Sequence, residues 1–240
     1  MARLGQAGSA SLDQARGAAF LRRDAIDAFW VVDFPLLEAA GDDNPRPIPR
    51  EQNIKGRAHT SMPPVHFGLS AAHHPFTSSG AEDWNSVLGP VATSEYEASM
   101  ASLGERWAAA RAEGDDTAAE LCLSDAWSGW RDRRRKMLAC RARAYDLVAN
   151  GWELGGGSVR VHDADQQEHQ MRSVLGLSEE LVRSFEHLLR ALRHGAPPHA
   201  GIAFGLDRMV ALFADAPSLR DVLAFPKSST GQDLLVKAPS

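Results

Sequence analysis

The stretch that decides the fold is Ala144-Tyr-Asp-Leu-Val-Ala-Asn-Gly-Trp-Glu-Leu-Gly-Gly-Gly-Ser-Val-Arg160. Asn150-Gly151 between two alternating apolar runs predicts a two-residue β-hairpin, because both residue types tolerate positive φ at low cost. This turn would put Asp146 and Glu153 on one sheet face as diagonal neighbours, roughly 7–8 Å apart at Cα. Two carboxylates on one face are also compatible with an ordinary solvated sheet surface.

The three glycines that follow favour a functional interpretation of this face. Glycine inside a strand weakens packing, so Gly155–Gly157 predicts a bulge or the close approach of a ligand. Arg160 follows Glu153 by seven residues, which in an unbroken strand would put it on the opposite face. One bulge would return it to the carboxylate face. The pattern then predicts carboxylates suited to Mg²⁺ and a guanidinium suited to a small anion, as for a metal–nucleotide and an acidic substrate.

Composition limits the remaining choices. A chain of 240 residues predicts one large domain, or a domain with an insertion. The net charge of −5 argues against binding nucleic acid by bulk electrostatics. Cys122 and Cys140 alone exclude a disulfide framework, disfavour structural zinc and fit a reducing compartment. No apolar run is long enough to span a membrane. The Ala/Ser-rich start with arginines resembles an organellar transit peptide weakly, and Asp13 argues against that.

Periodicity and breakers predict the following elements in chain order. They are a helix over 12–29, a buried strand over 29–37, an irregular loop over 39–69, helices over 94–113 and 117–140, helices over 164–174 and 178–194 with Ser178 at the start of the second, a strand over 201–205, a helix from Asp207, and a buried strand over 221–226. The strand over 201–205 alternates small and large residues, so its bare face suits a flat aromatic ring or tight packing. The architecture expected is α+β, an antiparallel sheet with helices on one side.

Residues 78–142 are rich in Ala, Glu and Arg and contain few β-branched residues. This composition predicts a polar helical insertion at the surface. Its basic cluster, Arg131-Asp-Arg-Arg-Arg-Lys136 with Arg141 and Arg143, could contact nucleic-acid phosphates. The favoured interpretation is a solvated helix face paired with nearby acids. Deletion of residues 80–140 is therefore expected to leave nucleotide binding intact.

Five segments, in order, resemble the C-terminal part of aspartyl-tRNA synthetase of the bacterial and organellar type. They are Trp30-Val-Val-Asp-Phe-Pro, Ala72-His-His-Pro-Phe-Thr, the stretch 144–160, Gly195-Ala-Pro-Pro-His-Ala-Gly-Ile-Ala-Phe-Gly-Leu-Asp-Arg, and Asp221-Val-Leu-Ala-Phe-Pro-Lys. The resemblance covers roughly residues 28–77 and 143–240. Residues 1–27 would be a separate helical segment, and residues 78–142 would replace a shorter connection.

The resemblance implies an incomplete class II synthetase catalytic domain, which joins aspartate to ATP and passes the aspartyl group to the 3′ end of tRNA(Asp). It implies ATP as substrate, Mg²⁺ as metal, a homodimer formed through N-terminal elements, and a cytoplasmic or organellar (mitochondrial or plastid) location. The implied roles are as follows: Asp146 and Glu153 hold the metal; His73 and Arg160 bind aspartate; His74, Glu153, Gly205, Leu206, Asp207 and Arg208 bind ATP; and Arg208 and Glu153 act in catalysis.

The sequence also departs from that family. It contains no anticodon-binding barrel and neither of the first two class II signatures, so we expect a C-terminal half-site, either a fragment or a truncated paralogue. One alternative is a non-catalytic module that binds nucleotide, RNA or a synthetase partner. Another is a ligase that uses aspartate and ATP without tRNA, or an asparaginyl-type enzyme. Without the missing half, strands over 30–37 and 201–205 are expected to form open sheet edges.

Overall fold

The computed structural model describes residues 26–40, 61–64 and 66–228. Most of the helix predicted over 12–29 and most of the loop predicted over 39–69 lie outside these residues. The described chain divides into two compact units. The sheet unit comprises residues 26–32, 145–157 and 202–228, and the helical unit comprises residues 33–144 and 158–201. Every helix in the described ranges is too short or too polar to cross a membrane.

A four-stranded sheet in the order β1-β4-β5-β6 forms the sheet unit. Its strands are β1 (Ala28–Val31), β4 (Ala144–Ala149), β5 (Trp152–Val159) and β6 (Ala200–Phe204). Strand β1 runs antiparallel to β4 and places Val31 opposite Asp146. The predicted hairpin turn is confirmed, since Asn150 and Gly151 have φ of 48° and 81°. The predicted antiparallel sheet is confirmed as well.

Strand β5 contains the bulge that the glycines predict. A two-residue turn pairs Ala149 with Trp152, and an unbroken ladder would then set Arg143 opposite Ser158. Instead, the Val159 N–H donates to the Arg143 carbonyl at 2.9 Å. β5 therefore holds one more residue than β4 between the turn and Val159, which is the definition of a bulge.

The outer strands of this sheet are β1 and β6, and both expose apolar side chains. Every residue of β6 is exposed, as are Phe29 and Trp30 in β1. Within the described residues, the expectation of open edges is thus confirmed. The prediction of one buried strand over 29–37 is wrong, because Asp33 adopts a φ of 62° and ends the extended run after β1. The chain becomes buried only from Leu36 onward.

Helix α7 (Leu206–Phe213) follows β6, as predicted for the change of period near Asp207. The buried strand predicted over 221–226 is wrong. The Ser218 side chain accepts from the Arg220 N–H and starts a single 3₁₀ turn, Leu219–Asp221. Phe225 is 72% exposed, so this apolar run has no core to enter among the described residues.

The helical unit contains a two-stranded ribbon and most of the helices. Its elements are β2 (Leu37–Ala39) paired antiparallel with β3 (Leu69–Ala71), α1 (Ala81–Asp83) continuing as a π-helical segment Trp84–Leu88, α2 (Pro90–Glu113), α3 (Asp116–Ala139), α4 (Ala164–His169) continuing as a π-helical segment Gln170–Val174, α5 (Glu179–Ser184) and α6 (Glu186–Arg193). The two predicted long helices and the helix pair after the hairpin are therefore confirmed, with Phe185 dividing α5 from α6.

Local capping explains where these helices begin and end. Gly114, with φ of 75°, ends α2 in the left-handed conformation. Asp115 then caps α3 by accepting from the Ala118 N–H at 3.0 Å. The Ser178 hydroxyl accepts from the Leu181 N–H and caps α5, as the sequence predicted.

Helix α3 is not a surface element, and that expectation is wrong. Trp127, Trp130 and Met137 lie in the main hydrophobic core together with Leu37 and Phe67. Phe67 stacks on Trp130 with ring centroids 5.7 Å apart, and Trp130 is only 3% exposed. Apolar residues recur at helical spacing along α3, so one face is buried although the helix is rich in arginine.

The basic cluster of α3 serves packing as well as solvation. The Arg133 guanidinium donates to the Ala92 carbonyl at 2.9 Å and lies over the Tyr96 ring, 5.0 Å from its centroid. Arg135 and Lys136 both pair with Asp132, at 2.5 Å and 2.8 Å. These contacts support the paired-face interpretation over the phosphate-binding one.

Candidate functional site

Asp146 on β4 and Glu153 on β5 reach over Gly156. A Cβ placed on Gly156 would lie 2.4 Å from Oδ1 of Asp146 and 3.7 Å from Oε1 of Glu153. The two oxygens are therefore at most about 6 Å apart, within the range of diagonal neighbours on one sheet face. The predicted pairing of these carboxylates on one face is confirmed.

Neighbouring Gly155 is required for a different reason. Its Cβ would lie 2.6 Å from the Ala203 carbonyl and 2.7 Å from Cδ1 of Phe204. The close approach at Gly155 is therefore made by β6, whereas Gly156 leaves room for the carboxylates. The bulge in β5 accounts for this arrangement, because it lets Gly156 share the face of Glu153 despite their odd spacing.

Arg208 joins the carboxylate pair from the first turn of α7. The Gly205 N–H donates to the Leu154 carbonyl at 2.8 Å and fixes the start of this helix. Nη1 of Arg208 donates to the Glu153 carbonyl at 2.7 Å and lies 3.7 Å from Oε1 of Glu153. Its stem runs along Gly205, whose Cβ would lie 3.3 Å from Cδ of Arg208. The structure thus brings together Asp146, Glu153 and Arg208.

Two further residues predicted for nucleotide binding are at the surface of α7. Leu206 is 71% exposed, and Asp207 is exposed in the first turn of the helix. Their roles in ATP binding stay predictions, and so does the face on which Arg160 lies.

The carboxylate pair has a donor set suited to Mg²⁺. Among the described residues, no group of three or more His, Cys, Asp or Glu side chains could hold a metal ion. Mg²⁺, however, is commonly bound through one or two carboxylates together with substrate phosphates and water. Two carboxylates on one open face therefore fit a metal that arrives with a nucleotide.

The helical unit contains a second cluster around Arg160. The Arg160 N–H donates to the His199 carbonyl at 3.0 Å, and the residue forms a β-bridge with Thr77. Its Nη1 atom is buried and has no hydrogen-bond partner among the described residues. A buried guanidinium nitrogen without a partner is costly, and an anionic ligand would remove this cost.

The two predicted histidines contact different aromatic rings. His73 packs edge-on against Phe34, with ring centroids 4.5 Å apart, and is exposed. His74 packs against Phe76 at 4.4 Å, and its Nδ1 accepts from the Phe76 N–H at 3.3 Å. Partial burial and the positive charge of Arg160 lower the pKa of His74 below its ordinary value. The neutral form of His74 is therefore favoured at pH 7, and the charge of Arg160 contributes to this shift.

Two residues that the sequence analysis did not single out also belong to this cluster. Gln167 and Gln170 are buried on the core side of α4 and of the π-helical segment that follows it, and their amides donate to carbonyls beside His74. The signal available in the sequence was an amide at positions i and i+3, next to the buried Met171, on an otherwise apolar helix face.

A family model described as "tRNA synthetases class II (D, K and N)" matches residues 127–229. This part of the chain is therefore similar to the class II tRNA synthetases, the family that the motifs indicated. Over more of its length the chain is similar to the mitochondrial aspartate–tRNA ligase of Schizosaccharomyces pombe, with 34% identity over 220 residues. These residues make up 92% of this chain and 25% of that ligase. The chain thus spans about a quarter of the length of this relative.

Solved structures are matched over smaller shares. An aspartyl tRNA synthetase from Entamoeba histolytica is 27% identical over 37% of this chain and 18% of that chain, with a TM-score of 0.32. An asparaginyl-tRNA synthetase from Pyrococcus horikoshii, complexed with asparaginyl-adenylate, is 25% identical over 46% of this chain and 22% of that chain, with a TM-score of 0.34.

Proposed function

We propose that this chain is a portion of an aspartate–tRNA ligase. In the first step an oxygen of the aspartate α-carboxylate attacks the α-phosphorus of ATP, and pyrophosphate leaves. In the second step a hydroxyl of the 3′-terminal ribose of tRNA(Asp) attacks the activated carbonyl carbon, and AMP leaves. The similarity to an aspartate–tRNA ligase along most of the chain supports this proposal.

The observation that carries the proposal is the buried Nη1 of Arg160, which has no hydrogen-bond partner in the part of the chain that the structure describes. A planar guanidinium can hold a carboxylate through two parallel hydrogen bonds, which lysine cannot do. The lowered pKa of His74 favours its neutral form at pH 7, so His74 adds little positive charge beside Arg160. This environment suits the side-chain carboxylate of aspartate better than the neutral amide of asparagine.

The sheet unit would receive the nucleotide. Asp146 and Glu153 would hold Mg²⁺, and the metal, when bound, would neutralise phosphate charge. Arg208, held by the Glu153 carbonyl, would place a second positive charge near the phosphates. Such a reaction depends on positioning and charge neutralisation more than on covalent participation by the protein. We assign the two histidines to substrate contact, with His73 at aspartate and His74 at ATP.

The test is aspartate-dependent ATP–pyrophosphate exchange by the purified chain. We expect Arg160→Ala to cost about 2–5 kcal/mol, as for other buried charge pairs that lose one partner, which is roughly 30-fold or more in kcat/KM. Arg160→Lys should recover little, because its point charge cannot replace the fork. Asparagine serves as the substrate control. Equal exchange with asparagine, or exchange that survives Arg160→Ala, would contradict the proposal.

The location and the assembly state are two further parts of the proposal. We infer a mitochondrial or other organellar location from the S. pombe relative, which is itself mitochondrial. We also propose a homodimer, which the class II resemblance implies. Light scattering of the purified chain, and imaging of a tagged copy expressed in its own cells, test these two points.

A further inference from the structure

The segment His74–Thr77 connects His74 to the strand pairing of Arg160. Its carbonyl groups need donors inside the protein, because a buried carbonyl without a partner is costly. The Gln170 side-chain amide supplies them, since its Nε2 donates to the Pro75 carbonyl and to the Thr77 carbonyl, each at 3.0 Å. Nε2 of Gln167 donates to the Pro75 carbonyl at 3.0 Å as well.

Both glutamines are placed where apolar side chains would be the ordinary choice. Gln167 is 0% exposed and Gln170 is 2% exposed, and Met171 beside them is fully buried. The side-chain oxygen of each glutamine has no hydrogen-bond partner among the described residues. A buried amide that satisfies only its donor half carries a desolvation cost. The hydrogen bonds that the amide NH2 groups donate offset this cost, and they fix the backbone segment beside His74.

Thr77 links the segment to Arg160. Thr77 is 1% exposed and forms the β-bridge to Arg160, and its hydroxyl lies 3.2 Å from that of Ser158 on β5. Phe76 packs edge-on against Phe185, with ring centroids 5.2 Å apart. The Gln170 amide therefore holds both ends of the segment, the Pro75 end next to His74 and the Thr77 end next to Arg160.

We propose that Gln170, assisted by Gln167, is a positioning residue that holds His74 and Arg160 in fixed register for capture of a carboxylate substrate. Neither glutamine touches the substrate. Gln170 acts through the Pro75 and Thr77 carbonyls, and Gln167 acts through the Pro75 carbonyl alone. The choice of aspartate as the substrate rests on the proposed function, whereas the register of His74 and Arg160 does not.

The first arm of the test is an NMR titration of His74 in the 240-residue chain, with the resonance assigned by His74→Asn. Partial burial lowers the pKa of this imidazole most, and Arg160 is the charged group that lowers it further. Gln170→Met keeps the approximate size of the side chain but removes the Nε2 donor. The segment His74–Thr77 should then lose its fixed position relative to Arg160, and the pKa of His74 should rise toward its ordinary value. Gln166→Met is the matched control, because the Gln166 side chain makes no hydrogen bond to the segment among the described residues. It should leave the titration unchanged.

The second arm measures aspartate-dependent exchange. Losing a buried hydrogen bond that positions a ligand group should raise KM for aspartate by about tenfold. KM for ATP should change less than KM for aspartate in Gln170→Met, and the activity of Gln166→Met should stay at its wild-type value. A merely structural glutamine would instead lower the amount of active protein and leave both KM values unchanged.

Each outcome decides the proposal. A folded Gln170→Met chain with an unchanged His74 titration overturns it, whatever the exchange assay shows. If Gln170→Met does not fold, Gln167→Met replaces it, because that variant keeps the bond to the Thr77 carbonyl; a wild-type titration there also overturns the proposal. If the titration moves as expected but the wild-type chain shows no aspartate-dependent exchange, the positioning role stands and the proposed function fails.

Discussion

Gly155 and Gly156 are adjacent, but alanine at the two positions should have opposite consequences. Neither has positive φ, so alanine is sterically allowed by the backbone at both and only the surroundings decide. At Gly155 the new methyl group would meet the Ala203 carbonyl at 2.6 Å and Phe204 at 2.7 Å. At Gly156 it would meet Oδ1 of Asp146 at 2.4 Å.

Gly155→Ala should therefore lower stability. Backbone and ring atoms of β6 must move several tenths of an ångström, and such overpacking costs about 1–3 kcal/mol. Each kcal/mol lowers Tm by about 2–4 °C in a chain of this size. Gly156→Ala should be nearly neutral for stability, because the atom that it meets is the end of a side chain. A carboxylate turned off its rotamer costs about 0.5–1.5 kcal/mol, and alanine recovers about 0.4–1 kcal/mol from the unfolded state.

The binding assay should show the reverse order. In Gly156→Ala the Asp146 carboxylate must move about 1 Å to reach ordinary contact distance, so the pair can no longer hold a metal in its original position. Calorimetric titration with Mg²⁺–ATP should then show weaker binding by Gly156→Ala than by Gly155→Ala, and EDTA should abolish the wild-type signal. Circular dichroism supplies Tm for all three chains. Equal Tm losses in the two variants, or unchanged Mg²⁺–ATP binding by Gly156→Ala, would refute the reasoning.

Five further outcomes follow from particular contacts. Trp130→Ala should lower the free energy of unfolding by about 3–5 kcal/mol. Deletion of residues 80–140 should unfold the helical unit, and thermal melting should then lose its cooperativity. A cooperative melt after the deletion would show that α3 is dispensable for folding. Asn150→Ala should lower Tm more than Asn150→Gly, because glycine keeps the turn and both lose the bond from the Asp27 N–H; equal losses would contradict this. Because the pKa of His74 is lowered in the folded chain, stability should fall as pH drops below about 6.5, and His74→Asn should flatten that part of the Tm profile. The open edges β1 and β6 should make copies of the chain associate, which light scattering measures. Phe29→Lys should reduce this association. Unchanged scattering would mean that copies do not associate through β1.

Local patterns predicted the hairpin and its carboxylates because their causes are local. A two-residue turn requires positive φ twice, and Asn150-Gly151 supplies it cheaply. Once the turn is fixed, strand alternation dictates which side chains share a face, so Asp146 and Glu153 could be paired from the sequence. The partner of Gly155 could not be predicted in this way, because Ala203 is nearly fifty residues away and its approach depends on the tertiary pairing of β6.

The errors have physical causes as well. The run over 29–37 has the composition of a buried strand, but one residue, Asp33, in the left-handed region divides it, and aspartate in this conformation leaves a weak signal in sequence. In α3 the apolar stripe of Trp127, Trp130 and Met137 was present, but the neighbouring arginines suggested a solvated helix. The arginines are compatible with burial because Arg133 and Arg134 extend along the core and donate to carbonyls.

The two clusters differ in the charge of the ligand that each would accept. In the sheet unit, Asp146 and Glu153 carry two formal negative charges near the positive charge of Arg208, so this cluster favours a cation over a bare carboxylate. In the helical unit, Arg160 presents a buried nitrogen that has no hydrogen-bond partner among the described residues, and the pKa of the neighbouring His74 is lowered, so that cluster favours an anion. The metal–nucleotide and the acidic amino acid of the proposed function have charges that match these two clusters separately. Asp146→Asn should therefore weaken Mg²⁺–ATP binding without changing aspartate binding, and Arg160→Ala should do the opposite, whereas an equal loss of both ligands in either variant would mean that the clusters do not discriminate by charge.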